Sequence, residues 1–298
     1  MKKKTIFTVL TGLLLITACG EKQAGERIVS VTIEPQRYFV EKIAGDKFTV
    51  NTVVPAGQEP ESYDPTPRQM VQVSKSRAYL QIGHIPFEKT FMKSVRENNP
   101  DMKVFILSDG VNLITHEEHD HEHEHGEEEV AHHSHVGVDP HTWSSVSGAK
   151  TIAWNTLSAF IELDRENTQF YWDNYNRLVD EIEQTEKTIG ELLNPITNRT
   201  FIIYHPALAY FARDYNFSQL SIEMEGKEPS PTQLKRLIDL AKKSEAKVAF
   251  IQQEFDVKNA ELIANETNCR LVVINPLNYD WSEELIHVAQ SLADGKAN

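Results

Sequence analysis

The chain has 298 residues, 40% of them hydrophobic, and a formal net charge of −14. At roughly 100–200 residues per domain this length suggests two domains with real cores, and the apolar share is too low for a multi-span membrane protein. The acidic balance argues against nucleic acid as a partner, because a phosphate backbone needs basic patches, and it suits a surface that handles cations.

Lys2, Lys3 and Lys4 form a positive n-region, and Ile6 to Ala18 form an apolar stretch too short to span a bilayer. The stretch ends Ile16-Thr17-Ala18-Cys19-Gly20. This resembles the lipobox of bacterial lipoproteins, which implies cleavage before Cys19 and a lipid on its thiol. Loss of residues 1–18 removes three lysines and no acid, so the net charge goes from −14 to −17. With Cys19 lipidated, Cys269 has no partner for a disulfide, and its apolar neighbours mark it as a small buried hydrophobe.

Strand and helix patterns then alternate. Strands are expected at Ile28–Ile33, Phe48–Val54, Ala78–Ile82 and Lys103–Leu107, with helices at Gln36–Ala44, Arg68–Lys75 and Phe87–Asn98. A low-complexity insert, His116–His135, precedes a helix at Ser144–Phe160. Glu166–Leu193 carries Tyr171, Tyr175, Leu178, Ile182, Ile189 and Leu193 at helical spacing, which predicts one helix about 40 Å long. Strands at Thr200–Tyr204, Gln219–Ile222, Lys247–Ile251 and Arg270–Ile274 follow, with helices at Ala207–Tyr215, Pro231–Ser244, Val257–Thr267 and Ser282–Ala293. Ser230 is placed as the N-cap of the second of these helices, with Pro231 at its first position. The fold class is α/β: two lobes, each of four parallel strand–helix units, joined by one long rigid helix. The expected division is 1–18 signal peptide, 19–160 first lobe, 161–194 linking helix and 195–298 second lobe.

Open parallel sheets bind ligands beyond the carboxyl ends of their strands. Of twelve histidines, eight lie in the insert, and His84, His141 and His205 each sit just past a predicted strand; only His287 falls mid-helix. Neutral imidazoles together with a carboxylate suit Zn²⁺. The strand-end loops also carry Glu61 in Pro60-Glu61-Ser62-Tyr63-Asp64-Pro65, and Asp280 in Asn275-Pro276-Leu277-Asn278-Tyr279-Asp280.

The order of motifs resembles the metal-specific receptors of bacterial ABC importers for zinc and manganese. The resemblance rests on the Pro55-Ala56-Gly57 to Pro67 loop, Asp139-Pro140-His141-Thr142-Trp143 behind a His-rich insert, Tyr204-His205-Pro206-Ala207, Glu225 to Pro231 and Asn275-Pro276-Leu277. It implies one metal between two lobes. It also implies a permease and its ATPase as partners, and a lipid-anchored monomer on the periplasmic side or cell surface that catalyses no reaction. The chain departs from the zinc members at Glu61, where they usually have His, and at Asn275, where they often have an acid. A carboxylate there makes the site harder and moves it toward Mn²⁺ or Fe²⁺. The expected ligands are His141, His205 and Glu61, with His84 and Asp280 as candidates for a fourth place and Zn²⁺ as the transported ion; Mn²⁺ is the alternative.

The insert carries His116, His119, His121, His123, His125, His132, His133 and His135 with eight acidic residues. It contains a literal His-Glu-x-x-His at 121–125, but a zinc hydrolase needs that motif on an amphipathic helix, and no apolar face exists here. An auxiliary metal-collecting loop is the expectation. Other readings stand beside the receptor: a manganese or iron receptor of the same fold, a zinc metallohydrolase, and a surface adhesin or passive metal sink.

Overall fold

A computed structural model describes residues 27–116, 137–223 and 229–295. The first lobe contains β1 (Ile28–Val31), α1 (Glu34–Ala44), β2 (Thr49–Thr52), α2 (Pro67–Ser74), β3 (Ala78–Gln81), α3 (Pro86–Asn98), β4 (Lys103–Ile106) and α4 (Val146–Leu163). Its four strands are parallel and lie in the order β2-β1-β3-β4. Between β4 and α4 a two-residue ribbon, β5 (Thr115–His116) against β6 (Gly137–Val138), pairs antiparallel at the two ends of the insert. The apolar pattern of the sequence does not mark this ribbon.

The long helix α5 runs Thr168–Leu193, 26 residues. The second lobe follows as β7 (Thr200–Ile203), α6 (Ala209–Asp214), β8 (Ser218–Ser221), α7 (Pro231–Lys243), β9 (Val248–Gln252), α8 (Val257–Thr267), β10 (Arg270–Ile274) and α9 (Trp281–Asp294). Its strands are again parallel, in the order β10-β9-β7-β8. In both lobes the first strand is flanked by the second on one side and the third on the other. Each sheet therefore has a switch point at the carboxyl end of its first strand, where the following loops diverge and leave a crevice. Helix α6 is shorter than its sequence pattern suggests, because the chain turns at His205-Pro206 before it coils.

Local chemistry accounts for the element starts. Thr66 and Ser230 each accept a hydrogen bond from the backbone three residues on, and Gln69 and Gln233 return it, so α2 and α7 begin with complete capping boxes ahead of Pro67 and Pro231. Helix α5 buries Tyr171, Leu178, Ile182, Ile189 and Leu193 on one stripe, while Tyr175 stays half-buried. The stripe packs against α1 and α4 of the first lobe and α9 of the second. One apolar cluster consequently runs from Val29 and Phe39 through Leu178 to Phe201, Phe250 and Leu285, and a second cluster covers the other face of the second sheet. Cys269 is half-buried against that second cluster, with its thiol donating to the Ala246 carbonyl at 3.1 Å, and burial pushes its pKa up.

The lobes are also tied directly. The Trp281 indole donates to the Trp143 carbonyl at 2.7 Å, and the Trp143 indole donates to the Pro276 carbonyl at 2.8 Å. Tyr279 donates to Glu41 at 2.8 Å, beneath the Arg37 guanidinium.

Among the described residues no helix is long and apolar enough to cross a membrane. In the first turn of α4, Gly148 lets the Thr142 carbonyl approach so closely that a Cβ at this position would overlap it. Thr142 follows His141, so this contact sets where the His141 loop can lie. Gly148→Ala is expected to lower stability in urea unfolding by about 1–3 kcal/mol, the usual range for overpacking. Unchanged stability would show that the 141–144 turn shifts freely.

Candidate metal centre

Three side chains converge where the carboxyl ends of the two sheets face each other. His141 follows β6 in the first lobe, His205 follows β7 in the second, and Glu61 comes from the loop after β2. One ligand-type atom from each lies within 4.8 Å of the other two. His141 Nε2 and His205 Nε2 are 3.2 Å apart, and Glu61 Oε1 is 3.7 Å from the first and 3.6 Å from the second. A tetrahedral ion with bonds of about 2.0–2.2 Å separates its ligand atoms by about 3.3–3.6 Å. The three atoms therefore already stand close to the spacing that one small divalent cation imposes.

Each side chain is held by its own surroundings. Glu59 accepts hydrogen bonds from the backbone of Glu61 at 2.8 Å and of Ser62 at 3.1 Å, which curls the loop and turns Glu61 inward. Further along, Gln69 donates to the Val53 carbonyl at 2.6 Å and ties the far end of that loop to the end of β2. Asp139 Oδ1 accepts from His141 twice, from the backbone N–H at 2.8 Å and from ring Nδ1 at 2.9 Å. The Tyr210 hydroxyl, from α6, donates to the Asp139 carbonyl at 2.7 Å, so the second lobe braces the His141 segment. Gln252, at the end of β9, accepts from the His205 backbone at 3.2 Å and donates to its carbonyl at 2.6 Å. Glu223, just past β8, meets His205 Nδ1 at 2.9 Å, and the Phe255 ring stacks on the imidazole at 5.6 Å.

The histidines are buried, and Glu61 is the most exposed of the three. Burial disfavours charge on His205, but the Glu223 and Glu61 carboxylates outweigh it and push the imidazole up to about 10. The two rings face each other Nε2 to Nε2 at hydrogen-bond distance. Beside the histidines lies a small cavity of about 30 Å³ lined by Phe255, Pro276 and Leu277. Glu61 also borders an open cleft of about 1260 Å³, which gives the centre a route to solvent.

Not every residue singled out in the sequence joins the group. His84 stands half-buried on the wall of the open cleft, with burial pulling its imidazole down, and its ring lies outside the cluster. The reason is local: Gly83 takes φ of +120° at the end of β3, and α3 begins at Pro86, so the intervening turn carries His84 away. Asp280 is exposed at the start of α9 and is likewise outside the cluster, because the Asn275–Tyr279 turn presents Pro276 and Leu277 to the centre instead. Neither residue belongs to the group of three. His116 is described only by its backbone in β5. His119, His121, His123, His125, His132, His133 and His135 lie outside the described residues, as does Cys19.

The sequence reading assigned no role to Asp139, Glu223 or Gln252. The signal for each was its place at a strand end, the same signal that selected the histidines. Carboxylates and amides at such positions are too common to stand out without a partner in view.

Comparison with known proteins places this geometry in context. The model for the zinc-uptake complex component A, periplasmic, matches residues 29–294. The high-affinity zinc uptake system protein ZnuA of Bacillus subtilis (strain 168) is 27% identical over 293 residues, spanning 94% of this chain and 90% of its own. The manganese ABC transporter substrate-binding lipoprotein PsaA of Streptococcus mitis is 25% identical over 288 residues, spanning 90% and 87%. A crystal structure of ZnuA superposes with a TM-score of 0.81 at 35% identity, covering 90% of this chain and 98% of that one. A ZnuA deletion mutant with zinc bound gives 0.81 at 34%, covering 92% and 99%. With the match running almost from the first described strand to the last helix, the chain belongs to the family of the periplasmic zinc-uptake complex component A.

Proposed function

We propose that this protein is the extracytoplasmic zinc receptor of a bacterial ABC importer. It captures one Zn²⁺ between its lobes and hands it to a membrane permease powered by its ATPase. The lobes are residues 19–160 and 195–298, with 161–194 as the connection. Cys19 carries the lipid that holds the monomer at the membrane surface, and no reaction is catalysed. The observation that carries this reading is the spacing of His141 Nε2, His205 Nε2 and Glu61 Oε1, contributed by both lobes, at 3.2–3.7 Å. Two buried imidazoles and one carboxylate form a borderline-soft donor set that suits zinc. The zinc-uptake relatives support the same choice.

A manganese receptor is the second reading. The Glu61 carboxylate hardens the site, and the family's relatives include one named for manganese. Native mass spectrometry of protein from metal-limited cells, titrated with Zn²⁺ and Mn²⁺, decides between them.

Metal that bridges the lobes must favour the closed arrangement and raise stability by mass action, about 2.7 kcal/mol at a free concentration 100 times Kd. His205→Ala leaves ligands from the first lobe only. Calorimetry is expected to show a folded metal-free mutant that has lost most of the zinc-induced rise in Tm. A thermal shift equal to wild type would mean that the metal lies within one lobe.

Acid is expected to weaken the complex. Imidazole must lose its proton to bind metal, and protons compete more strongly at pH 5.5 than at pH 7.5. Competition titrations at those two values should give a clearly larger Kd at the lower one; equal affinity would point to an all-carboxylate site. Deleting residues 116–135 should remove weak zinc equivalents and retain the tightest one, measured by stoichiometric titration. Loss of the tightest site would reassign the ligands to the insert.

A further inference from the structure

Both candidate ligand rings have the same arrangement on the side away from the cluster. His141 Nδ1 meets Asp139 Oδ1 at 2.9 Å, and His205 Nδ1 meets Glu223 Oε2 at 2.9 Å. The carboxylates are themselves nearly buried, with side chains 5% and 10% exposed. A carboxylate beside an imidazole nitrogen favours a proton on that nitrogen, because an ionised carboxylate can only accept. We infer that Asp139 and Glu223 are positioning residues. They fix both rings as Nδ1–H tautomers, so that the two Nε2 lone pairs point into the gap between the lobes. This inference rests on the reading that His141 and His205 hold the transported ion.

The two arms are built independently. Asp139 Oδ1 also accepts the backbone N–H of its own histidine at 2.8 Å, so ring and backbone are locked by one oxygen. Tyr210 secures the Asp139 carbonyl from the other lobe at 2.7 Å. Glu223 acts on a ring whose backbone is already clasped by Gln252 and whose face is stacked on Phe255. Neither imidazole can rotate to present Nδ1 without giving up its hydrogen bond to a nearly buried carboxylate, which costs more than a typical hydrogen bond returns. Hydrogen bonding at Nδ1 also raises the donor strength of Nε2. The arrangement thus favours a cation that bonds well to imidazole over one that prefers oxygen.

The test begins with the unmodified full chain. Long-range ¹H–¹⁵N spectra of the zinc-loaded protein should show both rings protonated at Nδ1 and metal-bound through Nε2. Either ring bound through Nδ1 overturns the inference, whatever any variant does. Asp139→Ala and Glu223→Ala should each weaken zinc binding by about 10–100-fold, the range for losing such a partner. The affected ring should lose its single tautomer, with little change in the Tm of the metal-free protein. Asp139→Asn and Glu223→Gln retain a carbonyl acceptor and should recover the tautomer and most of the affinity. Alanine variants that bind zinc within twofold of wild type, or that weaken it while the rings stay protonated at Nδ1, overturn the inference. His141→Ala and His205→Ala separate the two levels. Unchanged zinc affinity in these variants removes the metal reading itself. Affinity lost in them but kept in the carboxylate variants removes the positioning role alone.

Discussion

A 26-residue helix with one apolar stripe must bury that stripe along its length, and here α5 does so against helices from both lobes. Burying each of its large side chains stabilises the fold by roughly 1.5–3 kcal/mol, so the two sheets are held by the same surface that holds the helix. Hydrogen bonds inside the interface add direction. Asn174 donates to the Ile43 carbonyl of α1 at 2.9 Å, and Thr185 meets Ser282 of α9 at 2.5 Å. The Trp281 and Trp143 indoles then close the seam next to the cluster of Glu61, His141 and His205. The distance between strand ends of the two sheets follows from this packing, and so does the 3.2 Å gap between the histidines.

That constraint also sets where the loops of Glu61, His141 and His205 meet. In each lobe the first strand ends at a switch point, where neighbouring loops part and leave unpaired strand ends. Facing the two sheets across a fixed gap brings Glu61 and His141 of the first lobe together with His205 of the second. The acidic and amide residues around them satisfy the remaining polar groups, as buried polar atoms require. Glu61 differs from the histidines in bordering the open cleft.

A second buried carboxylate shows how strongly the same strand ends favour acceptors. Glu88, in the first turn of α3, accepts from the backbone N–H groups of Ile82 at 2.9 Å and Gly83 at 2.7 Å, and from the Thr32 hydroxyl. Burial pushes its carboxyl up to about 7 against the pull of those donors. It binds the ends of β1 and β3 together and stabilises the first lobe's switch point without joining the group of Glu61, His141 and His205.

Much of this was legible from residue order. Alternating apolar runs marked eight parallel strands within a few residues, because a strand buried on both faces is continuously hydrophobic. The spacing of Tyr171, Leu178, Ile182, Ile189 and Leu193 marked α5, and the Ser230-Pro231 pair marked a helix start. His141, His205 and Glu61 were identifiable because each follows a strand and strand ends share one side of a sheet. Tertiary structure alone decided the rest. His84 and Asp280 also follow strands, yet a glycine turn and a five-residue loop place them outside the group of three, and sequence position has no term for the direction in which a loop leaves. The partnerships of Asp139 and Glu223 with the imidazoles, and of Tyr210 with the Asp139 carbonyl, depend on distances set by lobe packing. Residue types and strand ends are local properties of the chain. The separation of two nitrogens 64 residues apart is not, because it exists only once α5 has buried its stripe against both lobes.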